Sequence, residues 1–190
     1  MKQRVLFLLL PLMISALVPT GCGGPAKQLP VYDKVPDFTM TDSKGRPFRQ
    51  SDMAGKIWIV DFIYTFCPAE CPLMSSRMKK LEGQIKGMSD VRLLSISVDP
   101  ERDTPPVLDK FANRWSAPNA QWTFITGNAA TVHLLAYQTF HVGDVINKME
   151  HSTKFALVDR QGVIRGYYSS FDRDSMADLV KDIEILRRAS

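Results

Sequence analysis

Cysteine is scarce in this chain: three in 190 residues, at positions 22, 67 and 71. If Cys22 carries a modification, one close pair is left. An exported protein with one such pair has three uses for it: a local disulfide, a redox-active dithiol or a soft-metal site. Charge of one sign is also scarce. Twenty-four basic and 20 acidic residues leave a formal +4, and no basic run is interleaved with aromatics, so nothing points to a nucleic-acid partner. There is no internal repeat and no low-complexity segment. The apolar run Val5 to Val18, broken by Pro11 and Ser15, is short for a membrane span.

That run has another meaning. Lys2 and Arg4 precede it and the small residues Thr20 and Gly21 follow it, which is the pattern of a secretory signal. A cysteine directly after the small residues is the pattern of a bacterial lipoprotein, cleaved before Cys22 and lipidated on it. Pro19 departs from that pattern, standing where leucine is usual. The expected organisation is a signal peptide over 1–21, a lipid-anchored flexible tether over 22–33 and one domain over 34–190. Gly23 to Pro30 lacks any apolar period and reads as tether. The domain is then expected on the outer side of a bacterial membrane.

Within the domain, Phe38 to Phe48 reads as an opening hairpin around Asp42-Ser43-Lys44-Gly45. Ile57 to Tyr64 is a nearly continuous apolar run, as expected of a strand covered on both faces. Pro72 is predicted to start a helix at its first position, where a missing N–H costs nothing. Cys71 is then the N-cap, and Leu73, Met74, Met78, Leu81 and Ile85 form the buried stripe, ended near Gly87. Val91–Val98 and Trp122–Ile125 are predicted strands. Helices are predicted from Thr104-Pro105, over Ala129–Phe140 and over Ser170–Arg188. Phe155–Val158 and Val163–Tyr168 pair as a hairpin around Asp159-Arg160-Gln161-Gly162. Strands alternating with helices imply an α/β fold with a mixed sheet, whose chemistry collects at the carboxyl ends of strands. Cys67 follows the first long strand at such an end.

The run Val60-Asp61-Phe62 followed by a cysteine pair resembles the thioredoxin superfamily. Cys67-Pro68-Ala69-Glu70-Cys71-Pro72, the downstream Ser97-Val98-Asp99-Pro100-Glu101-Arg102-Asp103-Thr104-Pro105, and His151 shortly before a strand are together similar to the Sco/SenC family. The resemblance covers roughly residues 34 to 190. It implies a thioredoxin-like mixed sheet flanked by helices with an N-terminal hairpin extension. It also implies a membrane-tethered copper protein serving the copper A centre of cytochrome oxidase. Its expected partners are the oxidase's copper-site subunit and a thiol reductase or another copper chaperone. By resemblance, Cys67, Cys71 and His151 are the copper ligands, and Cys67 and Cys71 are also the redox pair. Asp61 resembles the buried carboxylate that thioredoxin-like proteins keep beneath their thiols; an outward-facing strand residue is the alternative. Asp99 and Asp103 match acidic positions of the family loop, with turn or N-cap duty as the alternative.

Residue chemistry agrees with that ligand set. Thiolates are soft and favour Cu(I), whereas imidazole suits both copper states and Zn(II). A helix starting at Pro72 would aim its positive end at Cys71 and favour thiolate there. Pro68 and Pro72 stiffen the loop between the sulfurs. His133 reads as structural, His141 as a cap for helix carbonyls, and Met74 and Met149 as core fillers. A thiol–disulfide oxidoreductase of the cell envelope is the alternative function, although three residues separate the cysteines where thioredoxins have two. Tyr64-Thr65-Phe66-Cys67-Pro68 also looks like a peroxiredoxin active-site run. Thr65, however, lies two residues before Cys67, where that pattern has three.

Overall fold

The computed structural model describes residues 27–68, 70–115, 121–142 and 153–189. Strands β1 (Thr39–Asp42) and β2 (Pro47–Arg49) form the opening hairpin. Gly45, at φ 78°, takes the left-handed position its turn requires. A short 3₁₀ turn, Gln50–Met53, leads into β3 (Ile57–Ile63), which helix α1 (Glu70–Gln84) follows. Next come β4 (Val91–Ser97), α2 (Pro105–Trp115) and β5 (Trp122–Thr126). A single α-helical turn, α3 (Ala129–His133), passes into a π-helical segment, Leu134–Thr139. The hairpin β6 (Lys154–Val158) and β7 (Ile164–Ser169) and the helix α4 (Arg173–Arg188) close the chain.

The seven strands make one mixed sheet in the order β2-β1-β5-β4-β3-β6-β7. The three central strands are parallel, joined through α1 and α2, because a parallel pair needs a crossover long enough for a helix. Every residue of β3 is buried, as its apolar run predicts. Ile57, Ile59 and Ile63 pack on one face with Met74, Met78 and Leu81 of α1, Leu108 and Phe111 of α2, and Leu179 and Ile183 of α4. Trp58, Val60 and Phe62 face the other layer, with Val132, Leu135 and Phe140 and the hairpin residues Met40 and Phe48. Two-residue alternation places Asp61 on the α1 face, among the isoleucines.

Four expectations are corrected. Helix α1 already includes Glu70, so Cys71 is helical and Pro72 lies inside the first turn rather than opening it. Proline is tolerated there because the first four N–H groups have no partner within a helix. Leu73 is 38% exposed and leaves the stripe to Met74, Met78 and Leu81. The helix expected over Ala129–Phe140 changes type at Leu134. The main-chain N–H of Phe140 returns to the Leu135 carbonyl, five residues back, which is the π-helical bond. Among the described residues, the His141 ring caps no helix carbonyl: at φ 48°, its Nε2 meets Asp33 Oδ2 at 2.8 Å.

The segment Lys27 to Val35 is not a tether over its described length. Lys27 Nζ donates to the buried Asp182 at 2.6 Å. Leu29 is buried in the α4-side core. Arg165 donates to the carbonyls of Pro30 and Leu29 at 2.6 and 3.0 Å. The N–H groups of Tyr32 and Val35 then donate to the carbonyls of Ile164 and Gly162, and Ile164 N–H donates to the Asp33 carbonyl. Every one of these partners lies more than 125 positions away, which is why local composition reads as linker. Among the described residues, no helix is long and apolar enough to cross a membrane.

Candidate metal centre

The site lies where β3 and β4 end. Strand β3 stops at Ile63 because Cys67 N–H turns back to the Tyr64 carbonyl at 3.2 Å. The chain then enters α1. Both cysteines are buried and in the thiol form, with no disulfide between them: Cys71 is fully covered and Cys67 is 7% exposed, so of the two only Cys67 reaches the surface. Exposed Phe66 and Pro68 flank it.

The helix start serves a different sulfur from the one the sequence suggests. Cys71 N–H donates to Cys67 Sγ at 3.2 Å, so the unpaired amide end of α1 stabilises negative charge on Cys67. Burial pushes the Cys71 thiol well up instead; the contact with Cys67 and the charge of Asp61 add to this, and a main-chain hydrogen bond at Tyr64 works the other way. Tyr64 is pushed up to about 12, first by burial, then by its hydrogen bond to Cys67 and the negative charges of Cys67, Cys71 and Glu70. The sulfurs are thus unequal, one at the mouth beside a helix terminus and the other beneath it.

Asp61 lies under the pair. It is fully buried, and its carboxyl is raised to about 7 because burial penalises the charged form more than the Ser95 hydrogen bond favours it. Ser95 Oγ donates to Oδ1 at 2.5 Å, and Trp122 Nε1 donates in turn to Ser95 Oγ at 2.8 Å. Oδ2 has no partner among the described residues. Of the two readings of Asp61, the buried one holds.

Asp103 ties the two loops together. Fully buried, its Oδ1 accepts from Thr65 Oγ1 at 2.5 Å, and its Oδ2 accepts from Thr65 N–H at 3.1 Å and Ser97 Oγ at 2.6 Å. Thr65 is thereby held twice by one carboxylate, two residues before Cys67. Asp99 turns the β4–α2 loop, its carbonyl accepting from the N–H groups of Arg102 and Asp103, and its carboxylate pairs with Arg102 at 3.3 Å. Neither Asp99 nor Asp103 reaches the sulfurs by a described hydrogen bond.

Other candidates scatter. Met74 is fully buried in the core. His133 is exposed and packs on Tyr137. His151, Met149 and Cys22 lie outside the described residues, and among the described residues no group of three metal-ligating side chains converges. Two contacts escape sequence reasoning. Glu70 Oε2 lies 3.7 Å from Cys67 Sγ, for which the i, i+3 spacing was the available signal. Thr65 and Asp103 are 38 positions apart, and no local pattern joins them.

A family model for SCO1/SenC matches residues 26–186. The chain belongs to the SCO1/SenC family. The SCO1 protein homolog of Bacillus subtilis is 30% identical over 172 residues, covering 86% of this chain and 88% of that one. Among solved structures, BsSco is described as a member of the Sco family of cytochrome c oxidase assembly proteins in which a disulfide switch was identified. It is 30% identical and superposes with a TM-score of 0.72, covering 83% of this chain and 95% of its own. Copper-bound ScoI of Bradyrhizobium japonicum is 25% identical with a TM-score of 0.62, over 78% and 99% of the two chains. The fold is therefore the thioredoxin-like fold of the Sco structures.

Proposed function

We propose that this SCO1/SenC protein is a membrane-tethered copper-binding assembly factor, a copper chaperone or thiol reductant for the copper A centre of cytochrome c oxidase. The observation that carries the reading is the pair of buried thiols, not joined by a disulfide, at one strand end, with the first sulfur held by the amide of the second cysteine. Two soft sulfur donors within one helical turn suit Cu(I). Copper is the cargo, held by Cys67, Cys71 and His151. His151 lies three positions before β6 in the chain. The antiparallel register of β6 on β3 starts β6, at Lys154, at the end of the sheet where β3 finishes and the cysteine loop begins. That register supports the imidazole as the third ligand.

The proposed anchor is a lipid on Cys22 after cleavage of residues 1–21, with the domain in the bacterial cell envelope outside the cytoplasm. Its partners are the oxidase's copper-site subunit and a reductase that keeps the pair as thiols, since an oxidising compartment drives toward the disulfide. A second reading, a thiol–disulfide oxidoreductase, draws support from Asp61, whose Oδ2 has no partner among the described residues and whose raised carboxyl suits proton exchange beneath Cys71.

The test turns on His151, because both readings need the cysteines. His151→Ala is expected to retain most Cu(I) affinity, which two thiolates supply. It is expected to lose most Cu(II) affinity and the intense visible absorption of a thiolate–Cu(II) site, with dithiol–disulfide exchange little changed. Anaerobic titration of the reduced proteins with each copper state, read by visible absorption and electron paramagnetic resonance, checks it. Unchanged Cu(II) binding would remove His151 from the site. Failure of the reduced wild type to bind copper would leave the oxidoreductase.

A further inference from the structure

The docked Lys27–Val35 segment fixes where the chain enters the domain. Lys34 bridges Val163 in antiparallel register, so going back from Val35 the segment climbs β7 from the level of Gly162. At its start, Lys27 donates to Asp182, which also accepts from Tyr168 Oη at 2.8 Å. Tyr168 pairs with Phe155, and the next residue, Ala156, pairs with Val60. Through Asp182 and Tyr168, Lys27 is thus tied near the level of Asp61, two residues short of the end of β3 at Ile63. That is the half of the domain that carries the thiols. Exposed large apolar side chains gather on the segment and at that end. Val31 and Tyr32 belong to the segment, Phe66 adjoins Cys67, Leu73 lies in the first turn of α1 and Phe171 follows the end of β7; among the described residues only Leu134 is another.

We propose that the thiol end of the domain is a membrane-contacting surface, held to the bilayer by the docked segment, with Phe66, Leu73 and Phe171 meeting lipid. The proposal rests on the lipid anchor at Cys22 read above. Five residue steps separate Cys22 from Lys27, and a chain spans at most about 3.3–3.6 Å per step, so the anchor lies within roughly 17 Å of Lys27. A free tether as far as Lys34 would take twelve steps and roughly 40 Å, with no preferred face. The opposite end of the sheet lies beyond the shorter reach: Gly162 is six residues back from Tyr168, about 20 Å along the strand. Charge does not drive the contact. At the thiol end Glu70, Glu101 and Asp172 are interspersed with Arg102, Lys154 and Arg173, all exposed, so neither sign dominates. The contact is apolar, and neutral lipid suffices for it. Cys67 then opens toward the bilayer, and a partner must offer its own site close to the membrane surface.

The experiment places the lipidated full-length protein, purified from membranes, in phosphatidylcholine vesicles with and without brominated acyl chains, which quench nearby tryptophan. Phe66→Trp and Phe171→Trp report on the thiol end. Lys86→Trp, exposed just past the C-terminus of α1, reports on the opposite end. After subtraction of the signal from the native Trp58, Trp115 and Trp122, quenching is expected to be at least twofold stronger at the first two positions. A Gly/Ser insertion of about twelve residues between Gly24 and Pro25 lengthens the reach to roughly 60 Å without touching the domain. The contrast between the two ends is expected to fall by half or more, because a longer tether dilutes the surface it presents. Equal quenching at both ends overturns the proposal, and so does a contrast that the insertion leaves unmoved. Quenching at neither end overturns it too, and assigns the exposed side chains to a protein partner instead. Protein that carries no lipid on Cys22 and fails to float with the vesicles refutes the anchor reading and takes this proposal with it, a result distinct from equal quenching in anchored protein.

Discussion

Thr65→Val and Asp103→Asn measure how firmly the cysteine loop is clamped. Asp103 accepts three hydrogen bonds, two from Thr65 and one from Ser97, while fully buried. A hydrogen bond to a charged group contributes about 1.5–3 kcal/mol and a neutral one about 0.5–1.5. Replacing the carboxylate by an amide weakens three bonds by about 1 kcal/mol each, so Asp103→Asn is expected to cost about 3 kcal/mol. Thr65→Val removes the hydroxyl bond at nearly constant volume and is expected to cost about 2 kcal/mol. For a domain of this size, about 3 kcal/mol lowers Tm by roughly 6–12 °C. The decisive quantity is the coupling. Once Asp103 is asparagine, the valine should cost about 1 kcal/mol less than in wild type. Urea unfolding of the reduced, metal-free single and double variants supplies the cycle. Alkylation of Cys67 supplies a local readout, because the clamp sits two residues from it. If alkylation requires the loop to open, Asp103→Asn should speed it about tenfold or more, since each 1.4 kcal/mol is a factor of ten. Additive stabilities with an unchanged alkylation rate would show that these hydrogen bonds do not hold the loop.

Asp61 predicts a pH dependence of the reduced, metal-free domain. Folded, it keeps its proton to about pH 7; unfolded, it loses it near its ordinary value of 3.8. The folded state therefore binds the extra proton between those values, and stability falls as pH rises through that window by about 1.4 kcal/mol per unit. Asp61→Asn is expected to remove that slope, and denaturation midpoints from pH 4 to 8 with equal slopes in both proteins would refute it. The docked Lys27–Val35 segment predicts that a domain beginning at Lys34 is less stable than one beginning at Lys27. The loss of Leu29 burial alone is expected to cost about 2 kcal/mol, and equal midpoints would show the segment to be energetically idle.

The layout of the fold was legible where burial and periodicity dominate. The continuous apolar run of β3, the strand-and-helix alternation and the Thr104-Pro105 helix start carry their own signals. The helix boundary at Glu70 was not legible, because Pro72 is acceptable at several positions of a first turn. Nor was the change to π-helix at Leu134, since the apolar spacing of Val132, Leu135 and Ala136 suits either form. At the site, the cysteine pair stood out by spacing, but which sulfur receives the helix amide is set by that boundary. Asp103 was legible as an acidic position of the family loop, with turn or N-cap duty as the alternative, but its partner Thr65 was not, because the two are distant in sequence. The docking of Lys27 to Pro30 depends on Asp182 and Arg165, so no window around residues 27–30 could contain it.

The docked segment also determines what becomes of the sheet's outer margins. At one end, β2 is three residues long and opens on Pro47, which has no N–H to offer, so a foreign strand finds little to pair with. At the other end, the groups of Gly162, in the turn before β7, and of Ile164, at its start, are taken by Tyr32, Asp33 and Val35. The stretch of chain leading toward the proposed anchor thus also covers the start of an otherwise open strand edge. A protease that cut the domain free beyond Val35 would release more than a soluble copper protein: it would bare a ready template for a second β7, and two liberated domains could join edge to edge.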